Sequence, residues 1–176
     1  DCGLKLNGQK VTSVQAGTAK NTFKVTTAGG LTAKVSVALK KGVAAFTVDP
    51  LKQGAHTIEL SMGGMPVAYG LGDAGGWSGK LNLVADKIVR YSLVNNGSSK
   101  RWQSSFVIFP HNGLAGVVFA GKQPSVVLGP KEYTMKVTVN DAVTFYYMSG
   151  DMPGIYGNYK KLLVDKRFPW IKPKSS

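Results

Sequence analysis

Apolar and polar residues alternate with a period of two along most of this chain. Leu31, Val35, Val37 and Leu39 alternate with Thr32, Lys34, Ser36 and Lys40, with alanines at positions 33 and 38. Ile58, Leu60 and Met62 alternate with Thr57, Glu59 and Ser61, and Tyr133, Met135, Val137 and Val139 with Glu132, Thr134, Lys136, Thr138 and Asn140. Such alternation sets one face on a core and the other in water, as antiparallel sheets require. Two stretches, Phe106-Val107-Ile108-Phe109 and Ala115-Gly116-Val117-Val118-Phe119, are apolar on both faces and predict central strands. Asn7-Gly8, Gly29-Gly30, Lys41-Gly42, Gly63-Gly64, Asn96-Gly97 and Asn112-Gly113 supply positive-φ residues between the runs. Twelve or so short strands at this spacing predict a two-sheet antiparallel β-sandwich or a barrel, an all-β fold.

One segment departs from period two. Ile155, Tyr159, Leu162 and Leu163 fall at i, i+4, i+7 and i+8, the stripe of a helix. Asp151 is placed to cap it, Pro153 suits its first turn, and Lys160, Lys161 and Lys166 complement its C-terminal dipole. A single short helix near 152–164 is therefore expected. Phe168-Pro169-Trp170-Ile171-Lys172-Pro173 then predicts an extended apolar strap, because proline fixes the backbone at two points. With no fixed repeat and no low-complexity linker, the expected organisation is one β domain over 1–167 and the strap over 168–176.

Composition narrows the classes without choosing one. The chain has 176 residues, 43% of them hydrophobic, which excludes a disordered chain and permits one sizeable core. No apolar run reaches the ~20 residues of a spanning helix, and the opening residues lack the basic and apolar regions of a signal peptide. A formal charge of +13 invites a polyanion reading. Yet only Arg90, Arg101 and Arg167 are arginines, the preferred fork for bases and phosphates, and the lysines are scattered. A lysine-coated surface with neither a nucleic-acid nor a membrane partner is the expectation. The lone Cys2 excludes an internal disulfide and a cysteine-rich zinc site. Asn96-Gly97-Ser98 matches a glycosylation acceptor at Asn96, but a tight Asn-Gly turn explains it better. The compartment is left open, with a secreted or lumenal setting preferred.

Candidate chemistry is sparse. Gly70-Leu71-Gly72-Asp73-Ala74-Gly75 satisfies the dinucleotide glycine pattern, but strand alternation resumes where a phosphate-holding helix should open. No nucleophile motif is present, and His56 and His111 cannot make a metal site with only each other. His56 keeps phase with Ile58 and Leu60, as a strand histidine would; His111 belongs to a turn. The carboxylates fall at turns, caps and exposed strand positions, so no catalytic pair, metal or cofactor is expected. Trp77, in a glycine-rich loop near Asp73, suits either the C–H face of a sugar or the core, whereas Trp102, after Lys100-Arg101, suits the core better than a sugar face.

Tyr69-Gly70-Leu71-Gly72, then Ser105-Phe106, Asn112-Gly113 and Gly116-Val117-Val118-Phe119, then residues 141–150 with Pro153, Tyr159 and Leu162, and finally Phe168-Pro169-Trp170, follow a specific order. In that order the chain resembles, over about 66–173, the N-terminal galactose-mutarotase-like β-sandwich of glycoside hydrolase family 31, the α-glucosidase and α-xylosidase family. It departs from the family pattern in Asp73, where a glutamate is usual, and in Ser105, where a proline is. The resemblance implies that catalysis belongs to aspartates of a (β/α)8 barrel following the sandwich, so no acid here is catalytic. It implies a carbohydrate ligand, with Asp73, Trp77, Asn95 and Trp102 on loops at the rim of the substrate pocket. It further implies that Phe168, Trp170 and Ile171 dock on a catalytic-barrel polypeptide or on the remainder of a larger chain. A free-standing carbohydrate-binding or lectin-like sandwich, and a basic adhesion module for acidic polymers, are the two alternatives.

Overall fold

The computed structural model describes residues 3–65, 67–71, 80–82, 89–92, 105–119 and 122–165. Fourteen strands lie among them: β1 (Gly3–Leu6), β2 (Gln9–Ala16), β3 (Thr22–Thr27), β4 (Thr32–Lys40), β5 (Val43–Pro50), β6 (His56–Met62) and β7 (Val67–Gly70) come first. They are followed by β8 (Lys80–Asn82), β9 (Val89–Ser92), β10 (Val107–Phe109), β11 (Leu114–Val118), β12 (Lys122–Leu128), β13 (Tyr133–Val139) and β14 (Val143–Ser149), and then by helix α1 (Met152–Asp165). The alternating runs became β4, β6 and β13, and the helix stands within one residue of its predicted end.

The strands form one antiparallel sheet in the order β8-β7-β10-β11-β14-β5-β4-β3-β2-β1-β6-β13-β12-β9. The sheet curls until its two arms pack face to face, so the expected sandwich is one continuous sheet folded over. Leu6, Ile58, Leu60, Met135 and Val137 from one arm share a single buried cluster with Val25, Val48, Val107, Phe109 and Phe145 from the other. Full burial of side chains this size contributes about 1.5–3 kcal/mol each.

Two tight turns behave as their sequences require. Asn7-Gly8 and Lys41-Gly42 have φ of 51° and 78°, and 45° and 80°, so both central residues are left-handed, matching the twist of the strands they join. Asn7 is fixed further by its own side chain, whose Oδ1 accepts from the Thr57 amide at 2.8 Å.

Strands β10, β11 and β14 are covered twice, as the apolar sequences of β10 and β11 predict. Their inner face belongs to the main core; on the outer face Phe106, Ile108, Ala115, Val117 and Met148 pack against Ile155 of α1. Asp151 caps this helix, accepting from the Gly154 amide at 2.8 Å. Asn158 ties the helix to the β4–β5 turn by donating to the Lys41 carbonyl at 3.2 Å.

The contact between the arms centres on Tyr133. Its ring meets Phe109 edge-on at 5.1 Å and Tyr147 at 6.2 Å, and only 1% of the residue is exposed. Its hydroxyl has no protein hydrogen-bond partner among the described residues and lies over Gly116, where a Cβ would overlap it. Burial, and then the neighbouring Tyr147, hold the Tyr133 phenol well above the usual tyrosine pKa of about 10.

Gly116→Ala should therefore destabilise the protein by about 1–3 kcal/mol. Tyr133→Phe should return only part of that loss in the double variant, because the Cζ atom still lies 2.9 Å from the new methyl. Alone, Tyr133→Phe should be neutral or stabilising, since it removes a buried hydroxyl without a partner. A phenol raised on folding keeps its full stability below the unfolded pKa of ~10 and loses it as pH rises from there towards the folded value. Urea titrations between pH 8 and 11 should thus show a smaller alkaline loss in Tyr133→Phe than in the parent chain.

Candidate functional site

The residues with the most exacting backbone are Tyr69-Gly70-Leu71, at the exit of β7. Gly70 has φ of +132°, and a Cβ there would overlap the Phe106 carbonyl oxygen. Leu71 follows at φ +64°, a costly conformation for a leucine. It is held by complete burial and by its amide, which donates to the Phe106 carbonyl at 2.8 Å. Glycine lets the chain approach β10 closely; leucine then anchors it in the main core.

Phe106 is anchored as firmly. Its ring stacks on Tyr159 of α1 at 4.0 Å and 18°, and Phe119, Tyr146 and Tyr156 complete an aromatic cluster under the helix. Ser105 precedes it and is buried. Its Oγ donates to the Val118 carbonyl at 2.7 Å and accepts from the Val118 amide at 3.0 Å. One hydroxyl thus serves both backbone groups of a neighbouring strand residue. A proline at 105 could not do this, which gives the departure from the family pattern a physical role.

These anchors bear on the predicted rim. Asp73, Trp77, Asn95, Asn96 and Trp102 lie outside the described residues, as do Phe168, Trp170 and Ile171 of the strap and the boundary at 167. The described flanks are nonetheless brought together. Leu71, two residues before Asp73, bonds to Phe106, four residues after Trp102. The described flanks of the two segments thus meet at Phe106, just before β10.

The described titratable side chains have structural surroundings. His56 is buried; its Nε2 lies 2.8 Å from the Lys52 carbonyl and its Nδ1 3.1 Å from the Asn7 amide nitrogen. That pairing makes Nε2 the donor and Nδ1 the acceptor, the satisfied strand histidine expected. His111 is exposed in a 3-10 turn at Pro110–Asn112. Glu59 faces Lys136 at 3.9 Å, and Glu132 accepts from Thr134 at 3.1 Å. Asp49 is an exposed position of β5, directly opposite Lys34. Among the described residues no three of His, Cys, Asp and Glu gather as a metal would need.

Sequence reasoning missed a cleft of about 1130 Å³ under the inner face of β2–β5. Its walls include Val14, Phe23, Val37 and Phe46, opposite Leu4 and Met62, and residues 129–132 close one side. Alternation places these side chains on the inner face, but nothing in the pattern says the opposite arm leaves them partly uncovered. Three strands, β10, β11 and β14, separate β5 from β7. The cleft is thus separate from the Gly70–Leu71 anchor, and its apolar walls offer little to sugar hydroxyls.

No protein-family model matches the chain, and no curated protein matches it. Among solved structures, it is similar to a family 31 glycoside hydrolase, a sulfoquinovosidase from E. rectale in complex with the aza-sugar inhibitor IFGSQ. The superposition covers 81% of this chain with a TM-score of 0.52 and 7% sequence identity. That likeness is one of fold. The chain spans 24% of the enzyme's length.

The anchor can be tested by comparing two glycines. Gly8 has positive φ but open space around its Cβ position, so Gly8→Ala carries backbone strain alone, ~1 kcal/mol. Gly70→Ala adds a collision with backbone and should cost more, about 2–4 kcal/mol. Leu71→Ala should cost about 2–5 kcal/mol as a buried leucine truncation. Urea denaturation of the three variants should give that order.

Proposed function

We propose that this chain is the non-catalytic, galactose-mutarotase-like sandwich of a family 31-type α-glycosidase, shaping the rim of a substrate pocket whose catalytic barrel lies on the remainder of a larger protein or on a partner polypeptide. The observation that carries this reading is the extent of the structural likeness. Four-fifths of the chain overlies a quarter of a family 31 enzyme. The order of motifs around Tyr69-Gly70-Leu71-Gly72 supports it independently, because the strained glycine-leucine pair has a mechanical purpose. It fixes where a loop begins.

In this reading the segments 73–77 and 95–102 supply the side chains that meet the sugar. Trp77 and Trp102 offer flat apolar faces to C–H surface, while Asp73 and Asn95 read hydroxyls. Chemistry is left to the barrel's own carboxylates. The strap residues Phe168, Trp170 and Ile171, with α1 before them, form the joint to that barrel.

The isolated chain should show no turnover of aryl α-glucosides or α-xylosides. Turnover that is lost in Asp73→Asn would overturn the reading. Where calorimetry detects a sugar bound to the chain, Trp77→Ala should weaken it by ~1–2 kcal/mol, the scale of an aromatic contact. A native mass well above 18.7 kDa in the source material, with the barrel as the added component, is the expected assembly. A lone 18.7 kDa species binding sugars would favour a free lectin-like module instead.

A further inference from the structure

The outer face of β2–β5 carries one charged row between two rows of hydroxyls. Strand register places Gln15 opposite Lys24, Lys24 opposite Lys34, and Lys34 opposite Asp49, so four exposed side chains form one row across four strands. Like charges directly opposite each other on an antiparallel pair are destabilising. The Lys24–Lys34 pair therefore carries a cost, which Asp49 opposite Lys34 offsets on the other side of the row.

The neighbouring rows are hydroxyls. Ser13, Thr26 and Thr32 lie in register on one side of the charged row, and Thr22, Ser36 and Thr47 on the other, with Thr22 also donating to the Ala19 carbonyl and Thr47 paired with the Thr144 hydroxyl. The charged side chains in phase on this face are Lys24, Lys34 and Lys40 against Asp49, and none is an arginine. Helix α1 covers the face of β10, β11 and β14 and leaves this one in water.

We propose that this face of β2–β5 binds an acidic polysaccharide, with Lys24 and Lys34 meeting its carboxylates or sulfates and the flanking Ser and Thr hydroxyls meeting its sugar oxygens. The chemistry of the three rows selects among polyanions. They hold no aromatic ring on which a base could stack and no arginine fork for base edges or phosphate. They hold no apolar side chain to enter a membrane interface. Point charges set among hydroxyls suit a polymer whose anions alternate with hydroxyl groups. The proposal does not depend on the family 31 reading, because the face is remote from the Gly70–Leu71 anchor in strand order.

The test uses the full chain with polygalacturonate and heparin as probes, and dextran, a DNA duplex and phosphatidylserine–phosphatidylcholine vesicles as comparisons. Polygalacturonate or heparin should bind in low salt and weaken as salt rises. The double variant Lys24→Glu/Lys34→Glu should lose about tenfold or more in affinity. Lys160→Glu/Lys161→Glu, the same change in net charge on the exposed side of α1, should lose less than about twofold. Lys24→Gln/Lys34→Gln, with an unchanged circular dichroism spectrum, guards against a folding artefact and should show an intermediate loss. Equal losses in the two Glu pairs would overturn the proposal, as would no binding, equal binding of dextran, or tighter binding of DNA or vesicles.

Discussion

Asn140, Asp141 and Ala142 are the only residues between β13 and β14, and these two strands pair with opposite edges of the N-terminal half. Strands β1 to β6 form a contiguous block in the order β5-β4-β3-β2-β1-β6, with β5 and β6 left as its edges. β14 covers β5 from Val43 to Val48, and β13 covers β6 along its whole length. A three-residue link allows the two edges no great separation at that corner, so the block must curl. The packing of the arms, the Tyr133 contact and the shared core all follow from this short connection.

The same link explains why the middle of the sheet has to be apolar throughout. Once β14 sits beside β5, it brings β11 and β10 after it, over the opposite arm on one side and under α1 on the other. A strand with no wet face cannot alternate. Gly116 shows how closely this region is matched, since it has no side chain where the Tyr133 hydroxyl arrives.

Much of this architecture was legible in the residues. Alternation in β4, β6 and β13, the doubly apolar β10 and β11, the helical stripe from Ile155 and the cap at Asp151 each rest on local chemistry, and local chemistry is written along the chain. Strand order is not, because pairing joins residues such as Val43 and Met148 that no short pattern connects. Nor does alternation tell whether the opposite arm reaches a given side chain. Leu39 and Val14 keep the inward phase yet are 75% and 62% exposed. The candidate rim was legible only through motif order. Tyr69-Gly70-Leu71 carries a backbone reason for its residues, whereas Ser105 stood out only as a departure from a pattern, and its bonds to Val118 gave it a role.

The block of β1 to β6 also has a consequence for how the protein is made. All six strands are complete by Met62, and their mutual pairings join neighbours close in sequence, apart from the return of β6 onto β1. Such a meander can form early in synthesis, since local contacts require little loop closure. Its edges must then wait for residues 133–149, more than seventy residues later. During that interval β5 and β6 present open ladders to any other nascent or misfolded strand. A ribosome-bound intermediate of this chain is thus a sheet with two unpaired edges, and a pause or truncation between Met62 and Tyr133 prolongs the state most prone to joining the wrong neighbour.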